Sequence, residues 1–266
     1  MQIHLVVAKS EQQIADAERL RWKVYVEEER MLSAYTDQDS RERDRYDASP
    51  STTQLLIYAG AEAVGTVRLT TADPPSGASS RCAGLQIDTK FLLSGFDQPG
   101  MKLAEVTRYC VLRRFRGTRV TPTLFAALRQ ESERRGVTHW VAAANMETDS
   151  PEDAAVAYQI IRAKQLLSQV FHARPRALEP APPHPTRLVY TDEERKRARR
   201  GELEAMKLPR ILALFSSKMG ARYIGSPSYD PRFRVFATPL AVELAAIGGL
   251  HPTVGGIARP RLELAP

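Results

Sequence analysis

Apolar residues recur along this chain with two different periods, which predicts a mixture of helices and strands. After Ser10 they follow a helical period, and Gln13 completes a capping box, so we expect a helix from there to about Glu29. Further helices are expected at about 121–135, 151–170 and 208–219. Alternating or continuous apolar runs predict strands at 3–7, 54–59, 63–70, 103–112, 138–144, 221–224 and 232–237.

The order of these elements favours one α/β domain over residues 1–266. A strand, a helix and a strand follow one another between residues 103 and 144, the spacing of a βαβ unit with parallel strands. The polar, acidic segment from Met31 to Ser51 predicts a long loop, as does DPPSGASS. A proline-rich and then basic stretch at about 172–205 is expected to be a surface insertion, and the tail from about 246 to be loose.

Composition excludes several classes of protein. With 43% hydrophobic residues the chain can bury a core, so we expect it to fold. Two cysteines, Cys82 and Cys110, exclude a disulfide scaffold and a four-cysteine zinc site, and no histidines have metal-ligand spacing, so no metal is expected. We expect a cytoplasmic location, because no apolar run approaches the ~20 residues of a membrane span and the N-terminus lacks a secretory signal.

The net charge of +7 favours an anionic partner without identifying it. Together with the run ERKRARR, it leaves open a protein of another class, a basic module that binds a membrane surface or nucleic acid without catalysis. Nucleic acid is disfavoured, because the basic run has no interleaved aromatic residues. A peripheral membrane contact stays open, and so does a plain exposed helix of mixed charge.

Charged side chains interrupt two strands that are otherwise apolar. Alternation places Glu105 and Thr107 on one face of the strand at 103–112, and Arg108 and Cys110 on the other. Arg68 is a similar charge in the strand at 63–70. Burying an unpaired ion costs on the order of several kcal/mol, so these residues form either a structural ion network with the acidic loop or a reactive site.

A basic segment between a strand and a helix suggests a phosphate-binding turn. Arg113, Arg114, Arg116 and Arg119 surround Gly117 directly after the strand at 103–112. Backbone N–H groups at such a position bind phosphate, and a glycine allows close approach of the ligand. The alternative is a solvated basic patch.

Four motifs follow one another in a fixed order: RWKVY with Arg21 and Tyr25, ERDRYD with Glu42, Asp44, Tyr46 and Asp47, GTVRL with Gly65 and Arg68, and EVTR with Glu105, Thr107 and Arg108. They resemble the GNAT superfamily of N-acyltransferases, in the branch of acyl-homoserine-lactone (autoinducer) synthases, long-chain N-acyl amino acid synthases and ornithine-lipid and hemolysin-type acyltransferases. The Arg114-x-x-Gly117 turn is similar to the superfamily's acyl-carrier signature, and LPRILALFSSKMGARYIGSPSYDPRF resembles the end of the ornithine-lipid enzymes.

The resemblance implies a GNAT-like three-layer α/β (α+β) fold, with a central mixed, strongly twisted sheet flanked by helices and splayed at the strand of Glu105. It implies an acyltransferase that moves a fatty acyl group from an acyl carrier protein, or from coenzyme A, to the amine of an amino acid or amino-acid-derived acceptor. The acyl-phosphopantetheine thioester is a co-substrate, and no permanently bound cofactor is implied.

The same resemblance implies roles for individual residues. Glu105 would take the proton of the amine, directly or through water, with Thr107 as a second catalytic residue, and the amides of Val111 and Leu112 would bind the oxyanion. Substrate binding, or bracing of the acidic loop, would fall to Arg21, Tyr25, Asp44, Asp47, Arg68 and Arg108. Acyl-carrier or pantetheine binding would fall to Val111, Leu112, Arg113, Arg114, Arg116, Gly117, Thr118 and Arg119.

Two departures from the family pattern bear on the substrates. Arg119 stands where acetyl-CoA enzymes carry a small residue, and a long cation suits an acidic carrier protein. Met31, Leu32 and Tyr35 stand where autoinducer synthases typically carry a tryptophan. A homoserine-lactone synthase that uses S-adenosylmethionine is therefore an alternative prediction, and the acyl-chain length and the acceptor stay open.

Overall fold

The computed structural model describes residues 2–32, 39–73 and 81–247. Tyr35, most of the DPPSGASS loop and the tail from residue 248 lie outside the described residues. The chain divides into two compact units, one formed by residues up to 73 and by 102–138, the other by 81–101 and 139–247. The elements in chain order are β1 (Ile3–Val7), α1 (Glu11–Trp22), β2 (Thr52–Ala59), β3 (Glu62–Thr71), β4 (Phe91–Ser94), β5 (Leu103–Val111), α2 (Val120–Arg134), β6 (His139–Asn145), α3 (Pro151–Ala163), β7 (His172–Pro175), α4 (Asp192–Arg199), α5 (Arg210–Met219), β8 (Arg222–Tyr223), β9 (Ser228–Asp230) and β10 (Val235–Glu243).

The first unit is an antiparallel sheet with a helix on each face. Its strands lie in the order β1-β2-β3-β5. On one face Arg21 of α1 reaches Gln54 of β2, which pairs with Arg68 of β3. On the other face a Cβ at Gly65 would lie 2.5 Å from Val120 of α2, so the missing side chain lets α2 pack closely. Helix, sheet and helix thus form three layers around the buried faces of β3.

The end of α1 departs from the expected helix. The capping box forms as predicted, since Gln13 N–H donates to Ser10 Oγ at 3.2 Å and Ser10 N–H donates to Gln13 Oε1 at 3.2 Å. The α-helix stops at Trp22 and continues as a π-helical turn, Lys23–Glu28, in which Glu29 N–H donates to Val24 O at 2.9 Å. Such turns are rare and frequently lie at functional sites.

A β-bulge in β5 lies opposite β3. Val67 of β3 faces two residues of β5, Arg108 and Tyr109, because the register shifts by one there. Arg108 has φ of +54°, a left-handed conformation that is uncommon for residues with a side chain. Directly paired residues share a face of the sheet. The pairs on either side of the bulge are Thr66 with Cys110, Arg68 with Thr107, and Thr70 with Glu105.

The bulge corrects the predicted faces of β5. Because Thr66, Arg68 and Thr70 alternate along one face of β3, Cys110 lies on the same face as Glu105 and Thr107. The prediction that Cys110 and Arg108 point away from Glu105 is wrong, since the side chain of Arg108 reaches the carboxylates that also bind Arg68.

The second unit is built around β10, which pairs antiparallel with β6, β8 and β9, while β4 and β7 form a separate two-stranded sheet. Helix α3 is shorter than expected: it ends at Ala163, just before Gln165, whose φ is +53°. The stretch expected to be a surface insertion contains β7 and α4. Arg195 of α4 binds buried Asp153 of α3 at 2.7 Å, which anchors the basic run to the unit.

Candidate active site

Three arginines and three carboxylates of the first unit form a closed ring of ion pairs, which we call the ion ring. The arginines come from three elements: Arg21 from α1, Arg68 from β3 and Arg108 from the bulge of β5. The carboxylates, Glu42, Asp44 and Asp47, all come from one short segment between α1 and β2. Of the alternatives that the sequence left open, these contacts show the ion network with the acidic segment.

Each carboxylate of the ion ring bridges two arginines. Glu42 lies 3.0 Å from both Arg21 and Arg108. Asp44 lies 2.5 Å from Arg108 and 2.6 Å from Arg68. Asp47 lies 2.9 Å from Arg68 and 2.7 Å from Arg21, which closes the ring. Positive and negative groups alternate, so the ring has no net charge, and no member's side chain is more than 11% exposed.

The pKa values of Asp44, Asp47 and Arg108 are shifted in the direction that favours their ionised forms. Burial alone raises the pKa of Asp44, but the hydrogen bond from Arg68 and the charge of Arg108 outweigh it and hold that pKa well below 3.8. Burial likewise raises the pKa of Asp47, and Arg21 and Arg68 lower it below the ordinary value. Burial lowers the pKa of Arg108, and the charge of Glu42 outweighs it and raises that pKa.

Hydrogen bonds engage both terminal nitrogens of Arg21. This guanidinium donates to both oxygens of Asp47, to the Glu42 carbonyl and to Gln54. The segment that carries the carboxylates is thereby fixed to α1, β3 and β5. This geometry suits a brace, the second of the two roles expected for these residues.

Tyr25 and Cys110 lie beside the ion ring, where both are buried. Burial is the main reason that the pKa of the Cys110 thiol rises to about 12, so at neutral pH it is protonated. A protonated thiol is a poor nucleophile, which disfavours covalent catalysis at Cys110.

Glu105 and Thr107, the expected catalytic residues, lie on the ring face of β5. Glu105 is only 2% exposed, and Thr107 is half-buried. The Thr107 hydroxyl accepts a hydrogen bond from Arg68 Nε at 2.9 Å, which joins this residue to the ion ring. A hydroxyl that accepts one bond keeps its own proton for a second partner.

The turn after β5 contains a glycine in a left-handed conformation. Gly117 has φ of +75°, and a tight helical turn, Arg113–Phe115, precedes it. Thr118 Oγ accepts from the N–H of Val120 at 3.3 Å, so this residue binds the start of α2. Of the two amides expected to bind an oxyanion, that of Leu112 donates to Val64 O at 3.1 Å and is part of the sheet.

Three of the four arginines in this turn bind acidic residues. Arg113 and Arg116 contact Glu28 and Glu29 of the α1 end, and Arg114 pairs with Glu62 of β3. Arg119 is exposed. These partners were missed by sequence analysis, because nothing in RWKVYVEEER indicates that the end of one helix meets a turn about 85 residues later.

Two features are absent from the described part of the chain. Within it, no group of three or more His, Cys, Asp or Glu residues is arranged to hold a metal ion. None of the helices in the same residues is long and apolar enough to cross a bilayer.

Comparison with known proteins identifies first the fold of this chain and then its family. A CoA-dependent acyl-homoserine lactone synthase, BjaI, superposes with a TM-score of 0.52 at 17% identity, over 97% of this chain and 91% of that one. FeeM, an N-acyl amino acid synthase from uncultured soil microbes, superposes with a TM-score of 0.50 at 11% identity, over 92% of both chains. These similarities confirm the GNAT-like α/β fold.

No curated protein matches the sequence significantly. The family model described as N-acyl amino acid synthase FeeM matches residues 16–150, which include the ion ring, Glu105, Thr107 and the turn after β5. The match covers half of the sequence and confirms the resemblance on which the site was predicted. The chain belongs to the FeeM family of N-acyl amino acid synthases, and it is an amide-forming acyltransferase.

Proposed function

We propose that this protein transfers a fatty acyl group from a phosphopantetheine thioester to the amine of an amino acid or a related acceptor. One observation carries the proposal. Strand β5 presents Glu105 and Thr107 on the face of the ion ring and leads directly into the turn with Arg113, Arg116 and Gly117. A candidate proton acceptor and a candidate donor-binding turn therefore belong to one rigid strand.

The reaction requires one group that accepts a proton and one hydrogen-bond donor that stabilises the oxyanion. The neutral amine attacks the thioester carbonyl, a C–N bond forms, the C–S bond breaks, and the sulfur leaves as a thiol after it receives, from the base, the proton that the amine lost. Glu105 accepts the proton of the amine through a water molecule, because its side chain is buried. The amide of Val111 is the remaining backbone candidate for the oxyanion, and Thr107, held by Arg68, donates to the reacting groups from the same face.

The ion ring supports this site indirectly. Its arginines are engaged by carboxylates of the chain, so we assign Arg21, Arg68 and Arg108 to bracing the segment that carries Glu42, Asp44 and Asp47, and to orienting Thr107. Tyr25 packs beside this brace.

We propose acyl carrier protein as the donor's carrier. Arg119 is exposed beside the turn and supplies a cation that suits an acidic partner, whereas the exposed Arg114 pairs with Glu62. The fold similarity to a CoA-dependent synthase keeps acyl-CoA as a second donor to be tested. The basic run of α4 gives little support to a binding module, because Arg195, Arg199 and Arg200 all pair with acidic side chains of the same unit.

The experiment is an acyl-transfer assay read by mass spectrometry. Wild-type protein is incubated with acyl carrier protein or coenzyme A loaded with chains of several lengths, and with either an amino-acid mixture or S-adenosylmethionine. We expect an N-acyl amino acid from the first acceptor. An acyl-homoserine lactone from the second would instead support the alternative product.

Variants of two glutamates test the base. Glu105→Gln is expected to lower kcat by about 10²- to 10⁴-fold, the usual contribution of a general base. Glu133→Gln, the same change at an exposed position of α2, serves as the matched control and should keep full activity. A fully active Glu105→Gln enzyme would exclude Glu105 as the base, and no amide from any pair of substrates would exclude the proposed function itself.

A further inference from the structure

The turn after β5 already holds an anion in this structure, and that anion belongs to the protein. The two carboxylate oxygens of Glu28 accept from the backbone N–H of Arg113 at 2.9 and 3.1 Å. Arg116 also donates to Glu28, at 3.3 Å. A backbone amide next to a guanidinium is the donor set that binds phosphate oxygens in other proteins.

The α1 end holds Glu28 in this position. The π-helical turn Lys23–Glu28 ends at this residue, and the side chain of Arg113 donates back to the Glu28 carbonyl at 2.6 Å. The next residue, Glu29, binds Arg116 at 2.6 Å. Two carboxylates thus balance two guanidinium groups, and the side chains of Glu28, Glu29 and Arg116 are no more than 25% exposed.

The balanced charge should weaken the binding of a phosphate group of the acyl donor. A phosphate that approaches the Arg113 amide meets a site of zero net charge whose donors are already engaged. Removing one carboxylate would leave a net positive charge and an amide open to a new acceptor. Anion affinity at this turn is therefore set by a residue that lies outside the turn, more than 80 positions away in the sequence.

We propose that Glu28 lowers the affinity of this turn for the acyl donor by occupying the position that a phosphate of the donor would take. The inference rests on the proposed function, since it assigns the turn to the donor. Glu28 weakens the binding of phosphate-bearing donors and leaves the pantetheine portion unaffected. The ligand chemistry is a phosphate oxyanion, carried either by coenzyme A or by a phosphopantetheine arm.

The test measures binding, so it needs no turnover. Isothermal titration calorimetry at low ionic strength would compare coenzyme A, 4′-phosphopantetheine and pantetheine, which has no phosphate. In Glu28→Gln we expect the Kd of both phosphate compounds to fall about three- to tenfold, the effect of losing one partly exposed competing charge. The Kd of pantetheine should stay the same.

Glu27→Gln is the matched control. Glu27 belongs to the same π-helical turn and is exposed, so the variant loses the same charge at a neighbouring position. It should leave all three affinities unchanged. Glu28→Ala is a second variant, expected to resemble Glu28→Gln, and thermal unfolding confirms that each variant folds.

Several results would overturn the inference. These are equal or weaker phosphate binding in Glu28→Gln, an equal gain in Glu27→Gln, a matching gain for pantetheine, or no binding of either phosphate compound to any variant. A larger gain for one compound identifies the carrier that the turn prefers. Absence of amide product in the transfer assay would contradict the proposed function separately, because the calorimetry uses unacylated compounds.

Discussion

Six ionised side chains are buried in the ion ring, and each must replace the water that it loses. Taking one ion out of water costs on the order of several kcal/mol, and a single partner at good distance only partly offsets this cost. In the ring every carboxylate has two arginine partners within 3.0 Å. Because its carboxylates bind arginines of α1, β3 and β5, the ring fixes the 42–47 segment to all three elements.

Removing one member of the ion ring should therefore lower the stability of the folded protein. Asp47→Asn leaves Arg21 and Arg68 each with one carboxylate partner fewer, and we expect a loss of about 3–5 kcal/mol in the free energy of unfolding. Arg21→Met should cost a similar amount for the same reason. Urea unfolding followed by circular dichroism measures both.

The double variant separates a coupled ring from independent contacts. If Arg21 and Asp47 stabilise each other, the loss in Arg21→Met with Asp47→Asn is smaller than the sum of the two single losses. Additive losses would show that the pair contributes nothing as a pair. Glu11→Gln, an exposed change in the first turn of α1, is the control and should change stability by less than about 0.5 kcal/mol.

Sequence analysis identifies the charged residues of this region more reliably than the face of the strand on which each side chain lies. Alternation along a strand assigned Arg108 to the face opposite Glu105, and the bulge overturns that assignment. A bulge adds one residue without a compositional signature when its left-handed position is taken by arginine rather than glycine. The partners of Arg68 and Arg108 could be named as a class of acidic residues, but their order around the ring depends on tertiary structure.

Among the elements, β3 packs against both helices of the first unit. Its face toward α1 carries Thr66 and Arg68, and its face toward α2 includes Gly65. A Cβ at position 65 would lie 2.5 Å from Val120 Cγ1 and 3.2 Å from Leu124 Cδ1. The glycine of the GTVRL motif is thus required by helix packing.

A methyl group at position 65 should push α2 outward. We expect Gly65→Ala to lower the free energy of unfolding by about 1–3 kcal/mol, the usual cost of overfilling a packed site. Adding Val120→Ala removes the atom that the new methyl meets, so the double variant should be more stable than Gly65→Ala alone. Thermal unfolding of the four proteins measures this, and a double variant no more stable than Gly65→Ala would show that Val120 is not the obstacle.

Local signals explain which elements were predicted well. The capping box at Ser10, Pro209 before α5 and Gly220 after it act through neighbouring residues, and all three mark helix boundaries in the structure. The end of α3 and the strand β7 lack such signals. Strand β7 exists because it pairs with β4, about 80 residues earlier, and no local pattern records that pairing.

For the whole molecule, every residue proposed for the reaction belongs to the first compact unit. The family match at 16–150 extends over most of that unit. Residues 39–51, the described part of the acidic segment, contribute no strand or α-helix, yet their carboxylates fix them to α1, β3 and β5. Stability of the reactive region should therefore follow the ionisation of that segment.

We expect acid to unfold the protein by protonating Asp44 and Asp47 of this segment. The pKa values of Asp44 and Asp47 lie below the ordinary value of 3.8 in the folded protein, since their hydrogen bonds and charges from arginine outweigh the opposing effect of burial. The unfolded state thus binds protons first as pH falls, so the stabilisation is complete above about pH 4 and is lost below it. We expect Tm to be steady from pH 5 to 7 and to fall steeply between about pH 4 and 2.

Asp44→Asn should have a lower Tm at pH 7 and a shallower acid decline, because one of the two titrating groups is gone. Differential scanning calorimetry across this range measures both, and parallel declines in the two proteins would show that acid acts elsewhere in the chain.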